Sequence, residues 1–215
     1  MSTVKDSRAR LRTEQAEVTR LRIVEAASAL FTDRGYVATT IGAIAEHAGV
    51  VVQTVYNAVG NKAAVLNAVF DRTVSGDKSP TPVPDFMRAR MATVTELDEA
   101  VAILSDWLAD VNARAFSMHS LIRQAAAVDT EVAELEQNRA LRRLHNYEGA
   151  AELVRSLGGL GESTSNSEAA ATIWSIGHPD AYRALVLDSG WSQTAYRAWI
   201  GRALMLVLAP GATSE

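Results

Sequence analysis

Apolar residues recur at helical spacing along almost the whole chain, and this pattern limits the possible folds more than any other feature of the sequence. Between Thr19 and Arg34, for example, apolar residues return every three or four positions, which is typical of one buried helix face. No segment alternates apolar and polar residues between turn signals, as a half-buried strand would. The chain has 215 residues, of which 48% are hydrophobic. It is therefore predicted to be all-α, with a core of substantial size.

Glycines divide the N-terminal part of the chain into short helices. Gly35 is predicted to end the first helix. Thr40 is a suitable N-cap for a second helix that ends at Gly49, and a third helix is predicted from Val52 to Ala58. Gly49 allows a tight turn, so that the third helix crosses the second steeply. This arrangement predicts a helix-turn-helix, whose last helix has the right size to enter the major groove of DNA.

The composition changes at residues 75–84, which hold three of the five prolines and read as a linker. The chain before it carries nine basic and seven acidic residues, and the chain from residue 75 onward carries twelve and eighteen. A basic end on an acidic body indicates that the N-terminal part meets DNA. The expected divisions are a flexible basic arm at 1–18, a helix-turn-helix domain at 19–74 with a connecting helix at 62–74, the linker at 75–84 and a helical domain at 85–215. Helices of that last domain are predicted near 85–94, 96–114, 115–127, 130–157, 165–177, 179–188 and 192–208.

Several classes of protein are excluded by what the sequence lacks. There is no cysteine, so disulfides and thiolate zinc sites are ruled out. The N-terminus has no apolar stretch of a secretory signal, and no apolar run reaches the roughly 20 residues that cross a bilayer, so a cytoplasmic protein without a membrane partner is expected. No nucleophile elbow or histidine cluster is present, and Asp106 and Asp110 share a helix face as many solvated carboxylates do. We therefore expect no enzyme activity, no cofactor and no metal.

Seven residues on or near the third helix have the chemistry that DNA recognition needs. Amide side chains can pair with adenine, and a small apolar side chain can touch a thymine methyl. Hydroxyl and ammonium groups suit phosphates, which fix the register on DNA without reading its sequence. The candidates for base contacts are Val52, Gln53 and Asn57, and the candidates for phosphate contacts are Thr40, Thr54, Tyr56 and Lys62.

The stretch from Ile23 to Val69 resembles the N-terminal domain of tetracycline-repressor (TetR) family regulators. The residues that carry the resemblance are Phe31, Gly35-Tyr36, Thr39-Thr40-Ile41, Ile44-Ala45, Ala48-Gly49-Val50, Thr54-Val55-Tyr56, Lys62 and Leu66. The runs 178–186, 190–192 and 196–200 are also similar to one branch of that family. By resemblance, the seven candidates fall on the phosphate-contacting and base-facing positions of the family. Val51 departs from the usual Ser or Thr cap, and Ala58 and Val59 replace the usual aromatic pair.

The resemblance implies a larger C-terminal domain that binds a small molecule and forms a homodimer. Aromatic and methionine side chains with a few polar groups make a typical pocket, and the candidates to line it are Trp107, Phe116, Met118, His119, Arg123, Tyr147 and Trp174. Two helices carry more apolar residues than one small bundle needs, which predicts a two-fold four-helix interface. Its candidates are Ile173, Ile176, Tyr196, Trp199, Ile200, Ala203, Leu204 and Val207.

These observations predict a transcription regulator that binds a palindromic double-stranded DNA operator as a dimer. By resemblance it is a repressor that a small-molecule effector releases from DNA. Two alternatives stay open at this point: a helical ligand-binding or interaction module whose DNA affinity is weak or lost, which Val51, Ala58 and Val59 favour, and a helical enzyme.

Overall fold

The computed structural model of the chain describes residues 2–76 and 83–209, with side chains described from Arg10 to Gly76 and from Asp85 to Ala209. Every regular element in those ranges is helical, and no strand occurs among them. The predicted all-α fold is confirmed. None of the helices in the described part of the chain is long and apolar enough to span a membrane.

The chain forms two compact units. The first contains Met1–Arg72 together with Ser120–Glu136, and the second contains Thr73–His119 together with Gln137–Glu215. The division after Arg72 lies close to the domain boundary expected at 74, whereas the expected linker falls largely on residues 77–82, outside the described residues. The return of 120–136 to the first unit differs from the expected continuous domain at 85–215. A linear pattern does not show which distant segment a turn packs against.

The first unit is built on a long helix and three short ones. Helix α1, Ser2–Ala38, is interrupted at Gly35, where φ is 75° and ψ is 175°. The break at Gly35 is therefore where the sequence predicts it, but helical backbone resumes to Ala38. Residues expected to form a flexible arm, 1–18, instead continue α1 as far as Ser2, because no glycine or proline interrupts that stretch. The other helices are α2 at Ile41–Ala48, α3 at Val52–Ala58 and α4 at Lys62–Ser75.

Apolar residues from all four helices form the core of the first unit. Phe31 on α1 is 1% exposed, and its ring stacks on that of Tyr36 with the ring centroids 5.8 Å apart. Ile44 from α2, Val55 from α3 and Leu66 from α4 are buried to 1% exposure or less. These residues are among those that bury one face of each short helix, and such packing is what stabilises helices of seven or eight residues.

The second unit contains most of the remaining helices. They are α5 at Val83–Met91, α6 at Leu97–Ala126, α7 at Thr130–Ser156, α8 at Asn166–Ile176, α9 at Pro179–Tyr182 with a π-helical segment at Arg183–Asp188, and α10 at Gln193–Leu208. Helices α6 and α7 also supply the turn that belongs to the first unit. The sequence predicts a break between residues 114 and 115, but α6 is continuous there. No glycine or proline lies within it, and Ala115 is fully buried.

A buried polar contact joins three parts of the second unit. The Asn112 side chain, 2% exposed, donates one hydrogen bond from Nδ2 to the Gly177 carbonyl and one to the Tyr196 hydroxyl, both at 2.9 Å. Tyr196 is fully buried. Each of these polar groups would be costly to bury alone, so the contact specifies how α6, α8 and α10 pack.

Raising the pH should destabilise the second unit between about pH 10 and 12. Burial raises the pKa of Tyr147 and of Tyr196 from 10.0 to about 12. As the pH rises, the unfolded chain therefore loses these protons before the folded chain does. The contribution of the two protonated tyrosines to folding stability is complete below pH 10 and is lost as the pH approaches 12. Each pKa unit of difference corresponds to about 1.4 kcal/mol. Urea unfolding followed by tryptophan fluorescence measures this, because all four tryptophans lie in the second unit. Tyr147→Phe should flatten the profile, and an unchanged profile would contradict the assignment.

Candidate nucleic-acid interface

The turn between α2 and α3 is held by backbone and side-chain contacts on both sides. Thr40 begins α2 as its N-cap, and its Oγ1 accepts a hydrogen bond from the Ala43 backbone nitrogen at 3.1 Å. Gly49 ends α2 in the left-handed conformation, with φ 64° and ψ 39°. Arg22 of α1 donates from Nη2 to the Ala48 carbonyl at 2.6 Å. The turn chemistry read from the sequence therefore produces the helix-turn-helix geometry.

Helix α3 presents a polar face to solvent and attaches by its opposite face. Val55 is fully buried, whereas Val52 is 43% exposed and Tyr56 is 48% exposed. Gln53 and Asn57 are exposed one helical turn apart, and Gln53 Nε2 donates to Asn57 Oδ1 at 2.9 Å. All three candidates for base contacts therefore lie on the exposed surface of α3. Among the candidates for phosphate contacts, Thr40 and Tyr56 are exposed, and Thr54 and Lys62 are half-buried.

The departures from the usual pattern are visible in the ends of α3. Val51 occupies the N-cap position, makes no side-chain cap and is 70% exposed. A Ser or Thr at such a position typically adds about 1 kcal/mol to helix stability. Val59 takes the C-cap position, and both it and Ala58 are half-buried.

Lys62, the first residue of α4, has its ammonium group beside an aromatic ring and a backbone carbonyl. Its ammonium group lies 4.1 Å from the centroid of the Tyr36 ring, and Nζ lies 3.4 Å from the Val37 carbonyl oxygen. Burial lowers the pKa of Lys62, and the carboxylate of Asp129 opposes that change. Sequence reasoning missed Asp129, because 93 residues separate it from Tyr36.

Of the residues proposed to line an effector pocket, Trp107, Phe116 and Tyr147 pack against the core of the second unit. Tyr147 and Trp174 stack with their ring centroids 6.3 Å apart, and the Arg143 guanidinium lies 4.1 Å from the centroid of the Trp174 ring. Trp107 contacts Phe86 instead. Of the remaining candidates, Phe116 contacts Tyr182, Met118 is buried, His119 is half-buried, and Arg123 is exposed and belongs to the first unit.

The residues proposed for a dimer interface fall into two groups. Four of them are fully buried within their own chain: Ile173, Tyr196, Ile200 and Leu204. The apolar excess that suggested an interface therefore serves the core of the second unit, and these four side chains are closed to a partner in this conformation. Ile176, Trp199 and Ala203 are half-buried, and Val207 is 44% exposed. Leu206, which the sequence did not single out, is 69% exposed on the same helix.

The carboxylate pair considered for an enzyme is bridged by one arginine. Arg197 Nε lies 3.2 Å from Asp106 Oδ1, and the same guanidinium pairs with Asp110. The two acids therefore link α6 to α10. Among the residues that the structure describes, no group of three or more acidic or histidine side chains is placed to hold a metal ion.

Comparison with known proteins agrees with this geometry. Residues 23–69 match the model of the bacterial regulatory proteins of the tetR family. No curated protein shows a significant sequence match to the chain.

Among solved structures, a candidate TetR-family transcriptional regulator from Syntrophomonas wolfei aligns with a TM-score of 0.70 at 17% identity, covering 88% of this chain and 95% of the other. NalD of Pseudomonas aeruginosa, the secondary repressor of the MexAB-OprM multidrug efflux pump, aligns with a TM-score of 0.64 at 16% identity, covering 90% and 98%. The transcriptional regulator FadR of Bacillus subtilis in complex with stearoyl-CoA aligns with a TM-score of 0.61 at 15% identity, covering 90% and 99%.

The fold and the exposed third helix define a helix-turn-helix transcription regulator. Residues 23–69 form an N-terminal domain of the tetR family of bacterial regulatory proteins. Members of that family are DNA-binding transcription factors and not enzymes. The structural matches, at the identities given above, show that the family's fold extends over most of the chain.

Proposed function

We propose that the protein is a repressor that binds a palindromic operator as a homodimer and leaves it when a small molecule binds. The observation that carries the proposal is the exposed amide pair Gln53 and Asn57 on α3, the last helix of the helix-turn-helix. Amide side chains at this position can read adenine in the major groove. Thr40 and Tyr56 beside them are exposed hydroxyl donors for phosphates.

In this proposal a second copy of the chain binds to the exposed face of α10 and so forms the dimer. Leu206 and Val207 leave apolar surface on that helix, at 69% and 44% exposure. Trp199 and Ala203 of the same helix, and Ile176 of α8, are half-buried and remain candidates for the same interface. Two-fold pairing would place two copies of α3 on half-sites about 34–36 Å apart, or a multiple of that distance.

The effector in this proposal is a small molecule that the second unit binds. FadR of Bacillus subtilis, which has the same fold, is a regulator that binds stearoyl-CoA. In this chain the stacked Tyr147 and Trp174 rings, with Arg143 beside them, combine aromatic surface with a positive charge. A ligand with an apolar body and an anionic group suits that chemistry.

Two variants should change DNA binding in two different ways. Lys62→Ala should weaken binding to every sequence and make the plot of log affinity against log salt less steep by about 0.9 for each subunit. Gln53→Ala should reduce discrimination at one base position by about 1–3 kcal/mol and leave the salt slope unchanged. Gel shifts with fragments upstream of the protein's own gene measure both, with the mass of the complex giving the number of chains bound. Gln137→Ala, an exposed glutamine of the second unit, is the matched control.

A second candidate function is a ligand-binding module of the same fold with weak DNA affinity. The uncapped N-terminus of α3 at Val51 favours it, because a frayed recognition helix holds its side chains less rigidly. Absence of a shift at low salt with every fragment would reject the repressor and leave this candidate. Val51→Ser should strengthen DNA binding if the missing cap is what limits it.

A further inference from the structure

The turn between α6 and α7 is joined to the kink of α1 and the start of α4 by two polar contacts, all within the first unit. The Tyr36 hydroxyl donates to Asp129 Oδ2 at 2.6 Å, and Asn61 Nδ2 donates to Glu131 Oε2 at 2.7 Å. Tyr36 is 5% exposed, so its hydroxyl has little access to water as an alternative partner. The turn is therefore part of the structure of the unit that contains the helix-turn-helix.

The two oxygens of Asp129 have different partners. Oδ1 accepts hydrogen bonds from the backbone nitrogens of Glu131 and Val132, at 3.0 and 3.4 Å, and so caps α7. Oδ2 accepts the Tyr36 hydroxyl. These hydrogen bonds, that of Tyr36 first, hold the pKa of Asp129 below its usual value, so the group is a carboxylate at neutral pH. Burial and the hydrogen bond to Asp129 raise the pKa of Tyr36, so the phenol keeps the proton that it donates.

The Tyr36 ring connects this carboxylate to Lys62. A cation over an aromatic face is attracted by the negative charge of the ring's π system. A phenol that donates to a carboxylate becomes richer in electrons, which strengthens that attraction. The Lys62 ammonium lies 4.1 Å from the ring centroid, and the side chain is half-buried, so one side of it faces the ring while the other reaches solvent.

We infer that Asp129 is a positioning residue for DNA binding, which acts through the Tyr36 ring to hold the Lys62 ammonium where a backbone phosphate can bind it. The inference rests on the proposed function. A freely moving lysine side chain loses conformational entropy when it binds a phosphate, and a side chain that is already held loses less. An acidic residue, which would be expected to repel DNA, thus assists its binding.

A substitution that removes the charge of Asp129 distinguishes this role from general electrostatics, because the two predict opposite changes in DNA affinity. Removing any carboxylate near DNA should strengthen binding by reducing repulsion. Asp129→Asn keeps the α7 cap, since Asn is as good an N-cap as Asp, but replaces the oxygen facing Tyr36 by an amide. We expect D129N and Y36F each to weaken operator binding by about 3- to 10-fold. Glu134→Gln, which removes a charge from an exposed position of α7 in the same unit and takes part in neither contact of the turn, should leave binding unchanged or strengthen it.

A double-mutant cycle tests whether Asp129 acts through Lys62. In a Lys62→Ala background, D129N should cause no further loss of operator affinity, because the group that it positions is gone. An equal loss in both backgrounds would overturn the inference. So would a D129N protein that binds DNA as tightly as E134Q does.

A measurement without DNA keeps the inference separate from the proposed function. The chain has three lysines, Lys5, Lys62 and Lys78. Reductive ¹³C-methylation keeps their charge, and a methyl group over the Tyr36 ring is shielded by the ring current, which displaces the Lys62 NMR signal from the other two. K62A assigns that signal by removing it. D129N and Y36F should move it toward the positions of the other lysines, and E134Q should leave it in place.

The outcomes identify which idea fails. A Lys62 signal that is unmoved by both D129N and Y36F would overturn the positioning role, whatever the DNA result. A wild-type protein that binds no DNA, while the signal moves as expected, would overturn the proposed function and still support the placement of Lys62 by Asp129.

Discussion

Leu66→Ala should lower the free energy of unfolding of the first unit by about 2–5 kcal/mol, because truncating a fully enclosed leucine loses its transfer energy and leaves a cavity. Leu66 is 1% exposed and is one of the six buried residues of α4. Domains of this size are stable by only about 5–15 kcal/mol, so the loss is a large fraction of the total. We expect operator binding to fall with it, since α3 depends on the same core.

The two units can be followed separately during unfolding. All four tryptophans lie in the second unit, so their fluorescence reports on that unit, whereas circular dichroism reports on both. Leu66→Ala should therefore bring the dichroism transition to lower urea before the fluorescence changes. The matched control is Leu11→Ala on α1, where the leucine is 54% exposed and the same truncation should cost less than about 0.5 kcal/mol. Equal effects of the two substitutions would contradict the packing described for Leu66.

Asn112→Leu should destabilise the second unit by about 2–4 kcal/mol, although it makes a buried position more apolar. The substitution keeps the shape of the side chain but leaves two buried acceptors, the Gly177 carbonyl and the Tyr196 hydroxyl, without their donor. The cost of such unpaired groups exceeds the gain from added apolar surface. Tryptophan fluorescence during urea unfolding measures the loss, because Trp199 stacks on Tyr196 with their ring centroids 6.0 Å apart.

Two further variants test this account of Asn112. Asn138→Leu makes the same change at an exposed position of α7 and should be nearly neutral. Adding Tyr196→Phe to Asn112→Leu removes one of the orphaned acceptors, so the double variant should be less destabilised than the sum of the two single ones. Additive effects would show that the Asn112–Tyr196 hydrogen bond contributes nothing to stability.

Local rules of the chain were sufficient to predict the helix-turn-helix. Thr40 caps α2 through its side chain, Gly49 ends it through its left-handed backbone, and α3 covers Val52–Ala58 as predicted. Gln53 and Asn57 lie on the exposed face because Val55, between them, faces the core. Each of these features depends on residues within a few positions of one another.

The second unit shows where such rules stop. Helical periodicity identifies Ile173, Tyr196, Ile200 and Leu204 as buried, but it does not say whether their own chain or a partner buries them. The structure shows that their own chain does. The aromatic residues proposed for one pocket likewise make ring contacts with different partners. Helical spacing predicts that such a side chain faces the core, but it does not predict which residue it will contact there.

The helix-turn-helix and its exposed reading face were thus determined by the sequence itself, because caps, glycine turns and periodicity are short-range. Tertiary structure alone decided that the turn carrying Asp129 belongs to the same unit as Tyr36 and Lys62. Ninety-three residues separate Asp129 from the hydroxyl it accepts. Contacts between residues so far apart in the sequence form only when whole helices pack. The free energy that favours them comes from the whole core and not from any one segment.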